Sequence, residues 1–308
     1  IMAVLTALTI VTTVLMGFLI YSRFKMAIRQ TAVANTESVV ESAVDRLEAD
    51  LLNVRQISNA VNYNIIQEYD ISSQEFERQF SLLYEINTDK IQSMALYDNE
   101  GNLVAAEPLV NEKADAGAAQ QDWYRNAADE IENIHFSSPH IQNLFEDGTY
   151  RYYWVISLSR SVDINDGEKP VSGVLLVDMK YSFIEEMMNR INDRTRGRYY
   201  YLCDREGKLI YHPYANEISN GLFQENSVLA SSSEDGIYRN LRSPHGERQT
   251  MIVNTISYTG WKLVGVVLPD IRTDSLEKFR IYMMIIVIML IMMLLAVNRI
   301  VSKKISSP

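Results

Sequence analysis

Two long apolar segments stand at opposite ends of the chain, and they constrain its fold more than any other feature. Residues 1–21 and residues 281–297 contain no charged side chain. A helix needs about 20 apolar residues to cross a hydrocarbon core of about 30 Å, so each segment is predicted to span a membrane. The first segment is followed by Arg23, Lys25 and Arg29 instead of a small-residue cleavage site, which favours an uncleaved anchor over a signal peptide.

Nearly all of the charge lies between these segments. All 39 acidic residues fall within residues 22–280, together with all but three of the 29 basic residues. Phosphate binding requires basic surface, so this acidic balance predicts that the protein does not bind nucleic acid. The sequence starts at Ile1 and stops soon after the second apolar segment, and we interpret it as a fragment of a longer protein.

Signals for chemistry are absent from the sequence. The only cysteine, Cys203, excludes an internal disulfide and a cysteine metal cluster, and its apolar and aromatic neighbours predict a buried side chain. The four histidines do not have the spacing of metal ligands. We find no nucleophile elbow, P-loop or dinucleotide fingerprint. The chain is therefore predicted to have no catalytic residues, no metal site and no cofactor.

A long helix is predicted directly after the first apolar segment. Neither proline nor glycine occurs from residue 21 to residue 69, and apolar residues recur in alternating steps of three and four. This heptad seam consists of Val40, Val44, Leu47, Leu51, Val54, Ser58, Val61 and Ile65. The seam can pack on the sheets of its own chain or pair with a second subunit, and both can hold on different stretches. We predict a homodimer through this helix.

A short motif occurs twice, 106 residues apart. Residues 96–104 and 202–210 share Leu, Asp, Glu, Gly and Leu at equivalent positions, with apolar residues on both sides of a polar turn. This pattern predicts a β-hairpin whose glycine supplies the positive φ of the turn. Two such hairpins, each followed by similar strand patterns, predict two copies of one fold.

Other elements are predicted around the hairpins. Asp122 is placed at the N-cap of a helix that opens with Trp123 and Tyr124, and Asp147-Gly148 is predicted to form another turn. The remaining predictions are strands at 150–159 and 171–179, a linking helix over 181–192, and strands near 237–242, 248–256 and 261–267.

This order of elements resembles a double Cache sensor domain of a bacterial membrane receptor. The residues that carry the resemblance are Asp122-Trp123-Tyr124, the strand end 173–178, residues 207–213 with Gly221-Leu222, and residues 259–265. The second-module motifs are most similar to those of Gram-positive sensor histidine kinases. Residues 304–308 resemble the start of a HAMP linker.

The resemblance implies an α+β fold with a long N-terminal helix and two PAS-like antiparallel-sheet modules, flanked by two transmembrane helices. The implied parts are a transmembrane helix (1–21), a stalk helix (22–69), a membrane-distal Cache module with its linking helix (70–196), a membrane-proximal Cache module (197–269), a helix entering the second span (270–298) and a cytoplasmic HAMP-like linker from 299 to 308. Residues 22–280 are then extracellular in a two-pass protein of the cell membrane.

A subset of the family binds amino acids through side chains that this sequence keeps only in part. Trp123, Tyr124 and Asp178 match the subset. Gln121, His140 and Gln142 stand where the subset has Arg, Tyr and Asp. An amino acid would lose two charge-assisted anchors, each worth about 1.5–3 kcal/mol. The resemblance therefore implies an aromatic, heterocyclic or cationic small molecule, or a short acid.

The strand over 152–159 has two different faces. Trp154, Ile156 and Leu158 form an apolar face that is predicted to pack on the long helix. The opposite face, with Tyr153, Val155, Ser157 and Ser159, suits the wall of a pocket. The candidate ligand-binding residues are Trp123, Tyr124, His140, Tyr153, Ser157 and Asp178. Each also has a structural interpretation: a core aromatic for Trp123 and Tyr124, a surface loop for His140, and a backbone partner for Asp178.

The resemblance implies extracellular small-molecule sensing, with ligand binding in the distal module changing helix packing and so signalling across the membrane. A two-component histidine kinase is the output that the resemblance favours, beyond residue 308. A chemoreceptor or a cyclic-dinucleotide synthase is the alternative. Two other classes are a structural, oligomerising ectodomain, which would show no small-molecule response, and an anchored enzyme, which would need a catalytic constellation that the sequence does not show.

Overall fold

The chain folds into a long helix, two antiparallel sheets and a second long helix, so the predicted α+β class is confirmed. The structure is a computed structural model, and it describes residues 2–108, 111–113, 117–129, 134–146, 152–165, 170–192, 197–244, 246–268 and 274–305.

Helix α1 (Met2–Val61) continues from the first apolar segment through the stalk and ends in a π-helical turn at Asn62–Ile66. Every residue of the heptad seam is buried, because α1 packs its apolar side against both sheets. This confirms the interpretation that the seam packs within its own chain. Pairing with a second subunit stays a prediction.

Helix α1 and the C-terminal helix, Asp274–Ile305, are the two helices in the described part of the chain that are long and apolar enough to cross a membrane. They lie side by side, and the rings of Phe24 and Phe279 stack with centroids 3.9 Å apart. The predicted start of the second helix at 270 lies outside the described residues, as do residues 306–308 of the predicted linker.

The first sheet follows a short helix, α2 (Gln74–Glu85), whose N-cap is Ser73. Its strands are β1 (Ile91–Asp98), β2 (Leu103–Glu107), β3 (Ile134–Phe136), β4 (His140–Ile141), β5 (Trp154–Asn165) and β6 (Pro170–Lys180). The order is β2-β1-β6-β5-β3, and β4 also pairs with β5. One face packs on α1, and the other carries a separate buried cluster beneath α3 (Asp122–Asp129).

The second sheet follows the linking helix α4 (Ser182–Asn192). Its strands are β7 (Arg198–Cys203), β8 (Leu209–Tyr211), β9 (Gly236–Arg242), β10 (Arg248–Ile256) and β11 (Trp261–Val267). The order is β8-β7-β11-β10-β9. Two short helices, α5 (Ala215–Ser219) and α6 (Ser227–Ser232), follow β8, and α7 (Asp274–Ile305) follows β11.

The repeated motif forms the same turn in both sheets. Oδ1 of Asp98 accepts the backbone N–H groups of residues 100 and 102, and Oδ1 of Asp204 accepts those of residues 206 and 208. Gly101 and Gly207 adopt φ values of 84° and 85°, which other residues reach only with strain. The sequence repeat is therefore a structural repeat.

Three local predictions need correction or fall outside the described residues. Trp154 does not pack on α1: it lies at the first position of β5, is 51% exposed, and contacts the ring of Tyr181. Asp122 is the first helical residue and not the N-cap, because the carbonyl of Gln121 accepts the first helical bond, from Arg125. The turn at Asp147-Gly148 lies outside the described residues.

Candidate ligand-binding site

A row of three polar side chains crosses the first sheet. In the strand register Ser93 of β1 and Ser157 of β5 both stand opposite Asp178 of β6. The Ser93 hydroxyl donates to Oδ2 of Asp178 (2.8 Å), and the Ser157 hydroxyl donates to Oδ1 (2.5 Å). All three side chains are buried, and Asp178 is only 1% exposed. Two hydroxyl donors thus hold a carboxyl group inside the first module.

Burial raises the pKa of Asp178, because an ionised carboxylate loses its hydration there. The hydrogen bonds from Ser157 and Ser93 and the charge of His140 act in the opposite direction. A nearby cation would favour the ionised form and so stabilise the carboxylate.

His140 stands at the edge of the same row. It lies on the short strand β4, opposite Val155, and is half-buried. Its Nε2 is 3.4 Å from the hydroxyl of Ser157, and its Nδ1 is 3.1 Å from the carbonyl of Ser138. Because a carbonyl only accepts, Nδ1 carries a proton in this arrangement. The histidine therefore belongs to the Asp178 group, and the interpretation as a surface-loop residue is wrong.

Aromatic side chains cover the sheet next to this row. The ring of Trp123 lies 5.5 Å from that of Tyr97, and the carbonyl of Trp123 accepts the hydroxyl of Ser159 (2.9 Å). The hydroxyl of Tyr124 donates to the carbonyl of Asp98 (2.6 Å). These contacts fix α3 over the sheet. Trp123 and Tyr124 are both largely buried, so they contribute to the core as well as to the candidate site.

Tyr97 is a residue of this cluster that sequence reasoning missed. Its side chain is fully buried, and its hydroxyl has no well-formed hydrogen bond in the part of the chain that is described. Burial raises the pKa of Tyr97, and the carboxylates of Glu112 and Asp178 raise it further. Two acidic groups therefore act on the phenol of Tyr97. A sequence signal existed, since Ser93 and Tyr97 share one face of an alternating strand, but their partners on β6 depend on register.

Tyr153 is the candidate that the structure separates from the others. It lines an open groove of about 830 Å³ between the two sheets, together with Tyr152, Tyr181, Lys208 and Ile210. The other five candidates do not line this groove: Trp123, Tyr124, His140, Ser157 and Asp178. Whether any of the six contacts a ligand stays a prediction.

Within residues 197–244 and 246–268, which the structure describes, the second module has no corresponding row. By the repeat, Tyr199 and Tyr201 replace Ser93 and Ala95, and the register places Val266 where the first sheet has Asp178. The large rings surround His212, whose side chain pairs with that of Glu225 at 3.3 Å, and both of those side chains are buried. The equivalent positions of the second sheet therefore carry large side chains of the chain itself, and the buried acid is found in the first module.

Replacing Asp178 with asparagine should change how stability depends on pH. The folded chain keeps the Asp178 proton at pH values where the unfolded chain has lost it, because folding raises this pKa. Relative to the asparagine variant, the wild type should therefore be most stable below the unfolded pKa of 3.8 and lose stability as pH rises through the folded pKa.

Urea denaturation of both proteins across this pH range measures the difference. The exposed acid Asp163, on the same sheet, provides the control variant Asp163→Asn, which should run parallel to the wild type. Parallel curves for wild type and Asp178→Asn would contradict the raised pKa.

Comparison with known proteins is consistent with this architecture. The family model described as Cache domain matches residues 24–274, which is most of the chain. No curated protein sequence matches the chain.

Three solved ligand-binding domains of chemoreceptors share the fold. The Campylobacter jejuni chemoreceptor Tlp3 in complex with L-norvaline has a TM-score of 0.58 and 15% identity, covering 80% of this chain and 94% of that one. The Pseudomonas aeruginosa PAO1 amino acid chemoreceptor PctC in complex with GABA has a TM-score of 0.56 and 14% identity, covering 75% of this chain and 96% of that one. The Pseudomonas fluorescens chemoreceptor CtaA in complex with L-serine has a TM-score of 0.55 and 15% identity, covering 78% of this chain and 98% of that one. At such identities the likeness shows the fold alone.

Proposed function

Since this chain belongs to the Cache domain family, we propose that residues 22–280 form the extracellular sensor of a two-pass signal-transduction receptor in the cell membrane. The module boundaries follow the sequence: 70–196 for the distal module with its linking helix and 197–269 for the proximal module. The favoured output is a two-component sensor histidine kinase with a HAMP-like linker from residue 299. The alternative output is a chemoreceptor or a cyclic-dinucleotide synthase with the same sensor.

One observation carries the proposal that the distal module binds the ligand. Asp178 is a buried acid held in a polar row beneath aromatic side chains, whereas the equivalent row of the second module is filled with tyrosine and valine. A buried carboxyl group costs free energy unless hydrogen bonds or a charged partner compensate for its lost hydration. This asymmetry between two copies of one fold supports a ligand at Asp178.

The chemistry of the site supports an amine with an aromatic or heterocyclic part. Glu112 and Asp178 both raise the pKa of Tyr97, so two acidic groups act on its hydroxyl. The rings of Tyr97 and Trp123 offer faces that attract cations. The only buried arginine in the described part of the chain, Arg160, faces α1 and donates to Asn59 (2.7 Å). Since Gln121 replaces the carboxylate-binding Arg, an amine without a carboxylate fits better than an α-amino acid.

A thermal-shift screen tests this proposal. The full chain in lipid nanodiscs is heated with amines, amino acids, organic acids, nucleobases and sugars, because a ligand that binds only the folded state raises the melting temperature. We expect an amine to give a concentration-dependent rise that Asp178→Asn abolishes and the control Asp163→Asn retains. A rise that survives in Asp178→Asn, or the absence of any rise across the panel, would contradict a ligand at Asp178.

We also propose that the receptor is a homodimer along α1. The seam is occupied by the chain's own sheets, so a second subunit would meet the opposite, polar side of the helix, which includes Glu41, Asp45 and Arg46. Sedimentation of the chain in detergent at micromolar concentration tests this. A monomer under these conditions would contradict the homodimer.

A further inference from the structure

The short segment Ser137–His140 joins the two modules. The hydroxyl of Ser138 donates to Oδ2 of Asp204 (3.0 Å), which stands in the hairpin turn of the second sheet. Asp204 is buried although it lies in a turn. The segment thus extends from the first sheet to a buried acid of the second module.

The same segment also contacts the candidate site, through Ser137 and His140. The backbone N–H of Ser157 donates to the hydroxyl of Ser137 (2.9 Å), and Nδ1 of His140 lies 3.1 Å from the carbonyl of Ser138. Nε2 of His140 is 3.4 Å from the hydroxyl of Ser157, which donates to Asp178. A continuous series of polar contacts therefore leads from Asp178 through Ser157, His140 and Ser138 to Asp204.

The internal repeat shows why Asp204 is available for this contact. In the first hairpin, Oδ2 of Asp98 accepts the side-chain amide of Asn102 (2.9 Å), so that carboxylate is satisfied within its own turn. In the second hairpin the residue equivalent to Asn102 is Lys208. Oδ2 of Asp204 instead accepts the hydroxyl of Ser138 from the other module. The two copies of this turn thus differ in the donor to Oδ2, and the copy without the asparagine is linked across the modules.

Movement of this turn has a short route to the membrane. Oδ1 of Asp204 holds the N–H groups of Glu206 and Lys208. The adjoining strand β7 pairs with β11, where Cys203 stands opposite Lys262, and β11 is the last strand before α7. A change at Asp204 therefore acts on the strand that precedes the second membrane helix.

We propose that the Ser137–His140 segment couples the two modules, so that the state of Asp178 sets the stability of the Asp204 turn. Ser138, His140 and Asp204 are positioning residues in this device. The biological role of the coupling rests on the proposed function, because the ligand would supply the change at Asp178. The coupling itself is a property of the chain without ligand, and the test below uses none.

Hydrogen–deuterium exchange of the full chain in nanodiscs measures the coupling. The perturbation is Asp178→Asn at one end, and the readout is exchange of the Glu206 and Lys208 amides at the other. We expect these amides to exchange about two- to tenfold faster in the variant, the range that corresponds to one weakened hydrogen bond. In a Ser138→Ala background, where the amides already exchange faster, Asp178→Asn should add nothing.

Tyr181→Phe provides the matched control. The hydroxyl of Tyr181 donates to the carbonyl of Ile210 (2.9 Å), so this variant also removes one hydrogen bond between the modules but leaves the Ser138 contact in place. In the Tyr181→Phe background, Asp178→Asn should still accelerate hydrogen–deuterium exchange of the Glu206 and Lys208 amides. Loss of the effect there would show that any contact between the modules suffices, and would overturn the specific role of Ser138.

Two other results would also overturn the proposal: unchanged exchange at Glu206 and Lys208 in folded Asp178→Asn, or an effect of equal size in the Ser138→Ala background. If Asp178→Asn does not fold, Ser157→Ala replaces it, since it removes the hydroxyl between Asp178 and His140 and has the same expected outcomes. A ligand screen without a hit would leave this result unaffected, so the two proposals fail separately.

Discussion

Replacing Glu225 with alanine should lower the free energy of unfolding by about 1–3 kcal/mol for each buried donor that stays unpaired, because three donors lose their acceptor. Oε2 of Glu225 accepts the hydroxyl of Tyr199 (2.6 Å) and lies 3.3 Å from Nε2 of His212, and Oε1 accepts the backbone N–H of Asn226 (2.9 Å). Nδ1 of His212 accepts the N–H of Tyr214 (3.0 Å), so Nε2 carries the proton directed at Glu225.

Chemical denaturation of the full chain measures this loss. Glu225→Gln is the matched control, because it keeps an acceptor of nearly the same shape and should cost clearly less than the alanine variant. A loss below about 1 kcal/mol for Glu225→Ala would show that water replaces the carboxylate and that the cluster is not a closed core.

Replacing Gly265 with valine should destabilise the protein by about 1–3 kcal/mol, the usual cost of overpacking. Gly265 lies on β11, and a Cβ there would stand 2.5 Å from Cγ2 of Thr36 and 2.9 Å from Cγ2 of Val40, both on α1. Real side chains do not approach so closely, so α1 must move away from the last strand before α7. Thermal unfolding should show the loss, with a smaller one for Gly265→Ala.

A compensating change makes this prediction specific. Thr36→Ser removes the nearest methyl group but keeps the hydroxyl that donates to the carbonyl of Ala32 (2.8 Å). The double variant Gly265→Ala with Thr36→Ser should therefore be more stable than the sum of the two single losses predicts. Simple additivity would mean that the contact between β11 and α1 relaxes elsewhere.

Local patterns predicted the elements of this fold but not the partners across its sheets. The seam of α1 and the two hairpins each depend on periodicity or on a glycine turn within a few residues, and the structure has them as predicted. Ser93, Tyr97 and Glu112 were missed because their roles depend on which residues of distant strands stand opposite them.

Alternation along a strand was informative within limits. It assigned Ser157 to the face predicted to line a pocket, and in the structure the Ser157 hydroxyl meets Asp178 across the strand register. Tyr153 has the same parity in the sequence, but it precedes the first residue of β5 and lines the groove between the sheets. Parity gives the face of a strand, but the ends of the strand decide which surroundings that face meets.

Helix α1 contacts the first sheet, the second sheet and α7 without interruption. A single residue inserted into α1 before Val40 would rotate the apolar N-terminal part of the helix by about 100° relative to the seam, because an α-helix has 3.6 residues per turn. Changes of about seven residues would restore the facing side chains. Family members should therefore differ in the length of this helix by multiples of about seven residues, whereas the loops between strands can have any length. The distance from the membrane to the sheets should then take only certain values.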